Sequence, residues 1–290
     1  MVFANGHNHS TFSDGVYTPE ELACLAGKEG YKGIILTDHD TAQGTYFMQK
    51  AARKEGLLCI QGCEFSTVGF GDVNFHLLGF DFNPDVPQMR EVLTYGAARQ
   101  RQRTQLLFEA AKKKGNLKNI TWEEVLEAYP YNEYICNNHV FRVLVAKGLI
   151  REEDYMTFFK RDFRLPFEQE EQITRVINKP FLPVTDVIQI ILKAGGVPVL
   201  AHPHQQVQYV DELIRAGLMG LEVNHPDVTA DESAVLHKIA EEKGLYKTGG
   251  TDHSGTLGGY EQFGARYHCE PERCGMSEED FMKLYFRKLG

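Results

Sequence analysis

The chain has 290 residues, with 31 Lys+Arg against 40 Asp+Glu and a formal charge of −9. At 42% hydrophobic and 24% charged it has an ordinary globular composition, which excludes disordered and fibrous classes. No run approaches the ~18 apolar residues of a membrane span, the opening MVFANGHNHS has no basic-then-apolar leader, and six scattered cysteines without a CxxC argue against a disulfide framework or a thiolate zinc site, so a cytoplasmic location is expected.

Strand and helix signals alternate over the first ~80 residues. A first strand signal runs into His7 and His9. Thr18-Pro19-Glu20-Glu21 then opens a helix: Thr18 can cap it, Pro19 suits the first helical position and Glu21 can complete a capping box, while Gly30 supplies a left-handed stop. Gly33–Thr37, Leu57–Gln61 and Val73–Phe80 read as strands of a buried, mainly parallel sheet. From about Met89 to Arg175 the pattern is helical and charged, with a basic helix over Tyr95–Lys114 and another opened by Thr121-Trp122-Glu123-Glu124. Strand and helix signals resume near Thr185: helix Thr185–Ala194, strand Val197–Ala201, helix Asp211–Ala216, strand Gly220–Asn224, a helix opened by Thr229-x-x-Glu232, and strand Leu245–Thr248. Strand–helix units interrupted by an all-helical stretch predict an α/β barrel-like domain over residues 1–83 and 184–290 with a helical insertion at 84–183.

The charge is uneven. Residues 84–183 hold 16 basic and 14 acidic residues, leaving 15 basic and 26 acidic elsewhere, a net of −11. Such a surface disfavours long nucleic acid, which wants a basic face. It admits a small anionic substrate if bound cations reverse the local sign.

His7 and His9 are two apart on a strand, so both project from one face and can converge on one ion. Asp14 follows. Further polar residues close successive strand signals: Asp38-His39-Asp40, Glu64, His202 with His204, and Asp252-His253-Ser254; His76 sits in Asn74-Phe75-His76-Leu77. Barrel enzymes place their chemistry on the rim formed by the carboxyl ends of their strands. Clustered carboxylates and imidazoles need cations among them, and a ligand set of nitrogen and oxygen without thiolate suits Mn, Zn or Fe.

His7-Asn8-His9-Ser10, Ser13-Asp14-Gly15, Thr37-Asp38-His39-Asp40, Gly62-x-Glu64, His76, Ala201-His202-Pro203 and Thr251-Asp252-His253 together resemble the PHP (polymerase and histidinol phosphatase) family of metal-dependent phosphoesterases. The helical middle, with His139-Val140-Phe141-Arg142, resembles the insertion of the subgroup that hydrolyses nucleoside 3′,5′-bisphosphates or small cyclic sugar phosphates. The resemblance implies a distorted (β/α)7, TIM-like barrel with two or three divalent ions. His7, His9, Glu64 and Asp252 would hold one ion, Glu64 would bridge to a second with His76 and His202, and Asp14 and His39 would serve the third. The family ends this site with Asp-x-His, whereas Ser254 stands at the last position here. Either His253 reaches in from beside it, the reading preferred, or the third site is weakened.

The expected reaction is hydrolysis of a small phosphate ester by metal-activated hydroxide attack on phosphorus. His204 or His253 is the candidate proton donor to the leaving oxygen. Arg142 with His139 would bind a second phosphate, and His225 would line the rim. Two other readings use the same residues: C–N bond hydrolysis, since the ligands do not fix the bond broken, and a non-catalytic metal module. Among phosphate esters, short oligoribonucleotides remain open beside the small molecules.

Overall fold

The computed structural model describes residues 2–71, 73–163, 173, 175–177, 179–253, 255 and 274–287. Seven strands follow one another across the sheet: β1 (Ala4–Asn5), β2 (Gly33–Leu36), β3 (Leu58–Gly69), β4 (Val73–Phe80), β6 (Val197–Leu200), β7 (Gly220–Asn224) and β8 (Tyr246–Gly249); the two-residue β5 (Leu182–Pro183) pairs with β3 off this path. The first and last meet again, because Gly6 N–H donates to Gly249 O and Asn8 bridges His253 in parallel. The sheet is thus closed into a distorted α/β barrel, as the strand–helix alternation predicts.

Local chemistry explains most of the elements. Helix α1 (Pro19–Lys28) starts with the Thr18–Glu21 capping box and stops at Gly30, whose φ is 89°. Capping boxes likewise open α4 (Trp122–Ala128) at Thr121 and the helix Ala230–Lys243 at Thr229. The strands β2 and β6 are buried at every position, which is why their segments read as continuous apolar runs.

Two features depart from the sequence reading. Strand β3 runs to Gly69 rather than stopping at Gln61, and β4 is antiparallel to both β3 and β6. The cause is the link between them. A parallel partner needs a crossover of a dozen residues or more, but only a tight turn separates these strands, with Phe70 and Gly71 at φ 46° and 81°. Glu64 therefore sits inside a long hairpin rather than at the carboxyl end of a strand, and His76 lies within the hairpin's other arm, inside the strand expected for it.

The described residues between β4 and β5 are mainly helical. The first helix there, α3 (Pro87–Lys113), begins eight residues before Tyr95, with Pro87 at its first position. Met89, Val92 and Leu93 of α3 pack into the barrel's apolar cluster, whereas Leu107 and Phe108 join a separate cluster with Trp122, Val125 and Phe141. The fifth helix, α5 (Asn137–Ala146), supplies Phe141. Cys24, Cys59, Cys63 and Cys136 are free thiols, whereas Cys274 is disulfide-bonded. Among the described residues no helix is long and apolar enough to cross a membrane.

Candidate metal centre

The chain leaving β1 sets the first two imidazoles. Asn8 turns into the wall, donating from its amide to Asn5 O and Ile35 O. Strand alternation then sends His7 and His9 to the opposite side, toward Glu64. The following loop is tied to Asp38, which accepts from Ser10 N–H, Ser10 Oγ and Ser13 Oγ at 2.7 Å each. That anchoring delivers Asp14 to His9, with Oδ1 3.4 Å from Nδ1. Gly15 is required at the bend, because a Cβ there would lie 2.2 Å from His9 O.

Glu64 is the hub. Its carboxylate is 1% exposed, and its two oxygens face different partners. Oε2 lies 3.1 Å from His7 Nε2 and 3.2 Å from both His9 Nε2 and His39 Nδ1. Oε1 lies 2.8 Å from His76 Nδ1 and 3.0 Å from His202 Nε2. Asp252 closes the first set, with Oδ1 2.9 Å from His9 Nε2. His202 and Asp252 hold these positions with φ of 27° and 47°, a left-handed conformation that is costly for residues with a side chain and recurs at functional sites. Eight residues read from the sequence thus converge: His7, His9, Asp14, His39, Glu64, His76, His202 and Asp252.

Two more belong to the same cluster. Glu222, fully buried, has Oε1 3.0 Å from His7 Nδ1 and accepts from His202 N–H at 2.7 Å. His225 Nε2 is 3.4 Å from Asp252 Oδ2, so it joins the ligand cluster rather than merely lining the rim. Glu222 was missed by sequence reasoning. Its available signal was a carboxylate between Leu221 and Val223 of the strand Gly220–Asn224, which must find a cation or donor when buried.

Other expected residues stand elsewhere. His253 pairs with Asn8 in the closing bridge; paired residues share a face, so it points away from His7 and His9. Its ring stacks on Tyr17 at 5.8 Å, and among the described residues it is in none of the groups of converging ligands. Ser254 lies outside the described residues. His204, expected as a proton donor, instead meets Glu232 at 2.9 Å on an exposed surface. Arg142 reaches Glu152 at 3.4 Å.

His139 is a capping residue. Its Nδ1 accepts from Cys136 N–H at 3.0 Å, which leaves Nε2–H to donate to Thr11 O at 3.2 Å. Burial holds its pKa down at about 4. The ring is neutral when folded but titrates near 6.5 when unfolded, so stability present above pH 6.5 is lost as pH falls toward 4, by about 3 kcal/mol at the low end. The melting temperature of His139→Gln, which keeps a capping acceptor, is therefore expected to fall less between pH 6.5 and 4.5 than that of the wild type. Parallel curves would show that His139 is not the group responsible.

The cluster fits divalent ions. His9 Nδ1 and Nε2, His39 Nδ1 and His225 Nε2 are buried without a hydrogen bond, although carboxylate oxygens lie within 3.4 Å of each. Groups that approach this closely without donor–acceptor alignment are arranged for a common centre rather than for one another. Electrostatics agree. Burial alone would lower the pKa of His7, but Glu222, Glu64 and Asp252 outweigh it and raise it well above the usual value. Burial is likewise outweighed at His9, which Asp14, Asp252 and Glu64 hold at about 10. For Glu64, burial would favour the acid, yet the surrounding histidines keep it well below the ordinary carboxylate range. The carboxylates that hold those protons are the ones cations would neutralise.

Fold and centre together define an α/β barrel protein built to bind metal ions. Residues 5–156, just over half of the chain, match the family model described as the PHP domain, and the chain belongs to that family. It is 26% identical over 264 residues to the phosphoribosyl 1,2-cyclic phosphate 1,2-diphosphodiesterase of Eggerthella lenta, spanning 90% of this chain and 97% of that one. It is 26% identical over 256 residues to the 3′,5′-nucleoside bisphosphate phosphatase of Chromobacterium violaceum, spanning 85% of each. A solved structure of a provisionally named metal-dependent phosphoesterase from Bifidobacterium adolescentis superposes with a TM-score of 0.75 at 26% identity, covering 99% of this chain and 96% of that one.

Proposed function

We propose that the chain is a metal-dependent phosphoesterase that hydrolyses a small phosphate ester of the nucleoside bisphosphate or cyclic sugar phosphate type. One observation carries the reading: a single buried carboxylate, Glu64, presents its two oxygens to two separate sets of imidazoles. His7, His9, Asp252 and Glu64 would hold one ion. Glu64, His76 and His202 would hold a second, and Asp14 with His39 a third. Bound divalent ions supply Lewis acidity there, lowering the pKa of water toward neutrality and offsetting the charge on phosphoryl oxygens.

The chain's own residues do the rest. Glu222 accepts from His7 Nδ1, which fixes the ring's orientation and leaves Nε2 to face the centre. His39 and His76 border a cavity of about 820 Å³, so substrate enters from that side. The helical segment 84–183 would act as a specificity cap. Supporting this, it is fastened to the loop that carries Asp14: Asn138 donates to Asp14 O, Asn132 donates to Thr11 O at 2.7 Å, and Cys136 Sγ donates to Ser13 O at 3.6 Å.

The test is turnover of p-nitrophenyl phosphate and nucleoside bisphosphates against a panel of amides, with metal content measured on the same preparation. Phosphate ester hydrolysis is expected to disappear on chelation and return with Mn, Zn or Fe. Exclusive amide hydrolysis would overturn the proposal, and less than one bound metal per chain in an inactive protein would favour a non-catalytic module.

A further inference from the structure

The cavity bordered by His39 and His76 has a volume of about 820 Å³, and its lining holds four cationic side chains, Arg99 and Arg103 of α3 with Arg175 and Lys179, against the one carboxylate of Asp40. Arg99 and Arg103 are four residues apart, so their side chains lie on one face of the helix and repel each other. Among the described residues no carboxylate lies within ion-pair distance of either. Arg99 is 6% exposed, its guanidinium sits 3.3 Å from the centre of the Phe181 ring, and its Nε has no hydrogen bond. Asp40 acts on it only through space. A buried guanidinium with an unmet donor, beside a second unpaired arginine in a cavity that reaches the metal centre, is a place prepared for an anion.

We propose that Arg99 and Arg103 form a second anion subsite, which takes the phosphate remote from the bond that is broken. The inference rests on the phosphoesterase reading and narrows it: the preferred substrate is a small ester carrying two phosphates. Arg142, the arginine singled out by the sequence, serves other cavities and is engaged by Glu152.

The experiment compares kcat/KM for adenosine 3′,5′-bisphosphate and for p-nitrophenyl phosphate in the metal-loaded wild type, Arg103→Ala and Arg142→Ala. Arg103 is partly exposed and Ala is the best helix former, so the first variant is expected to fold. Arg103→Ala should lower the bisphosphate-to-monophosphate ratio about 10- to 100-fold, the value of a hydrogen bond to a charged group, while Arg142→Ala leaves it unchanged. Calorimetric binding of adenosine 3′,5′-bisphosphate to the metal-free protein should weaken by a similar factor in Arg103→Ala. An unaltered ratio in Arg103→Ala, or a collapsed one in Arg142→Ala, overturns the subsite. If the wild type hydrolyses no phosphate ester, the functional reading fails and calorimetry decides alone: weakened binding upholds the subsite and equal binding removes it.

Discussion

Glu64→Gln is expected to lower phosphoesterase turnover about 1000-fold or more, the scale set by losing several kcal/mol of metal-assisted stabilisation, while the circular dichroism spectrum stays that of a folded barrel. The substitution keeps the shape of the side chain and removes its charge. Both oxygens of Glu64 are committed, one to His7, His9 and His39 and the other to His76 and His202, so no neighbouring carboxylate can take over either side. Metal content, measured by elemental analysis after dialysis, should fall in the same variant. Near-normal turnover with full metal content would mean that Glu64 does not join the two sets of imidazoles.

The second large effect is expected at a residue with no functional atoms. A Cβ on Gly250 would fall 2.3 Å from His7 N and 2.4 Å from His7 Cβ, and both belong to the strand exit that aims the ring at Glu64. No rotamer change relieves a clash with backbone. Gly250→Ala should therefore displace His7, cost about 2 kcal/mol, and lower the melting temperature by roughly 4–8 °C together with turnover. Gly27→Ala provides the contrast. That glycine lies inside α1, and its added Cβ would meet only the Glu55 side chain at 3.7 Å or beyond, so up to about 1 kcal/mol of stabilisation is expected. Equal melting temperatures for the two variants would show that the close approach at His7 relaxes without consequence.

Both expectations depend on how far local sequence determines position. The capping boxes at Thr18, Thr121 and Thr229 are complete within one helical turn, so they were legible without knowing the fold. His7 and His9 were legible as a pair for a similar reason, since the two-residue period of a strand decides their common face. Glu64 and seven other residues singled out as ligands meet in one cluster, and side-chain chemistry had marked them: imidazoles and carboxylates set beside apolar runs have few other uses. Glu222 escaped notice because a lone carboxylate inside one strand has no local signature, and its partner His7 is 215 residues away. The structure sets His253 and His204 apart from that cluster, although each is close in sequence to a residue within it. One residue's difference on a strand reverses the face, and a nearby Glu232 offers His204 a partner on the outside.

What the amino-acid order decided alone was the set of elements and the kinds of atoms available: strands alternating with helices, a helical interruption, and nitrogen and oxygen ligands without thiolate. The tertiary structure decided which of those atoms share a space. It turned β4 antiparallel through a tight turn and brought His76 to the centre, and it drew Arg142 to Glu152 while leaving Arg99 and Arg103 in the cavity that His76 borders. The physical reason is range. Caps, periods and turns are satisfied within a few residues, whereas the pairing of a buried charge is settled only when distant segments close around it.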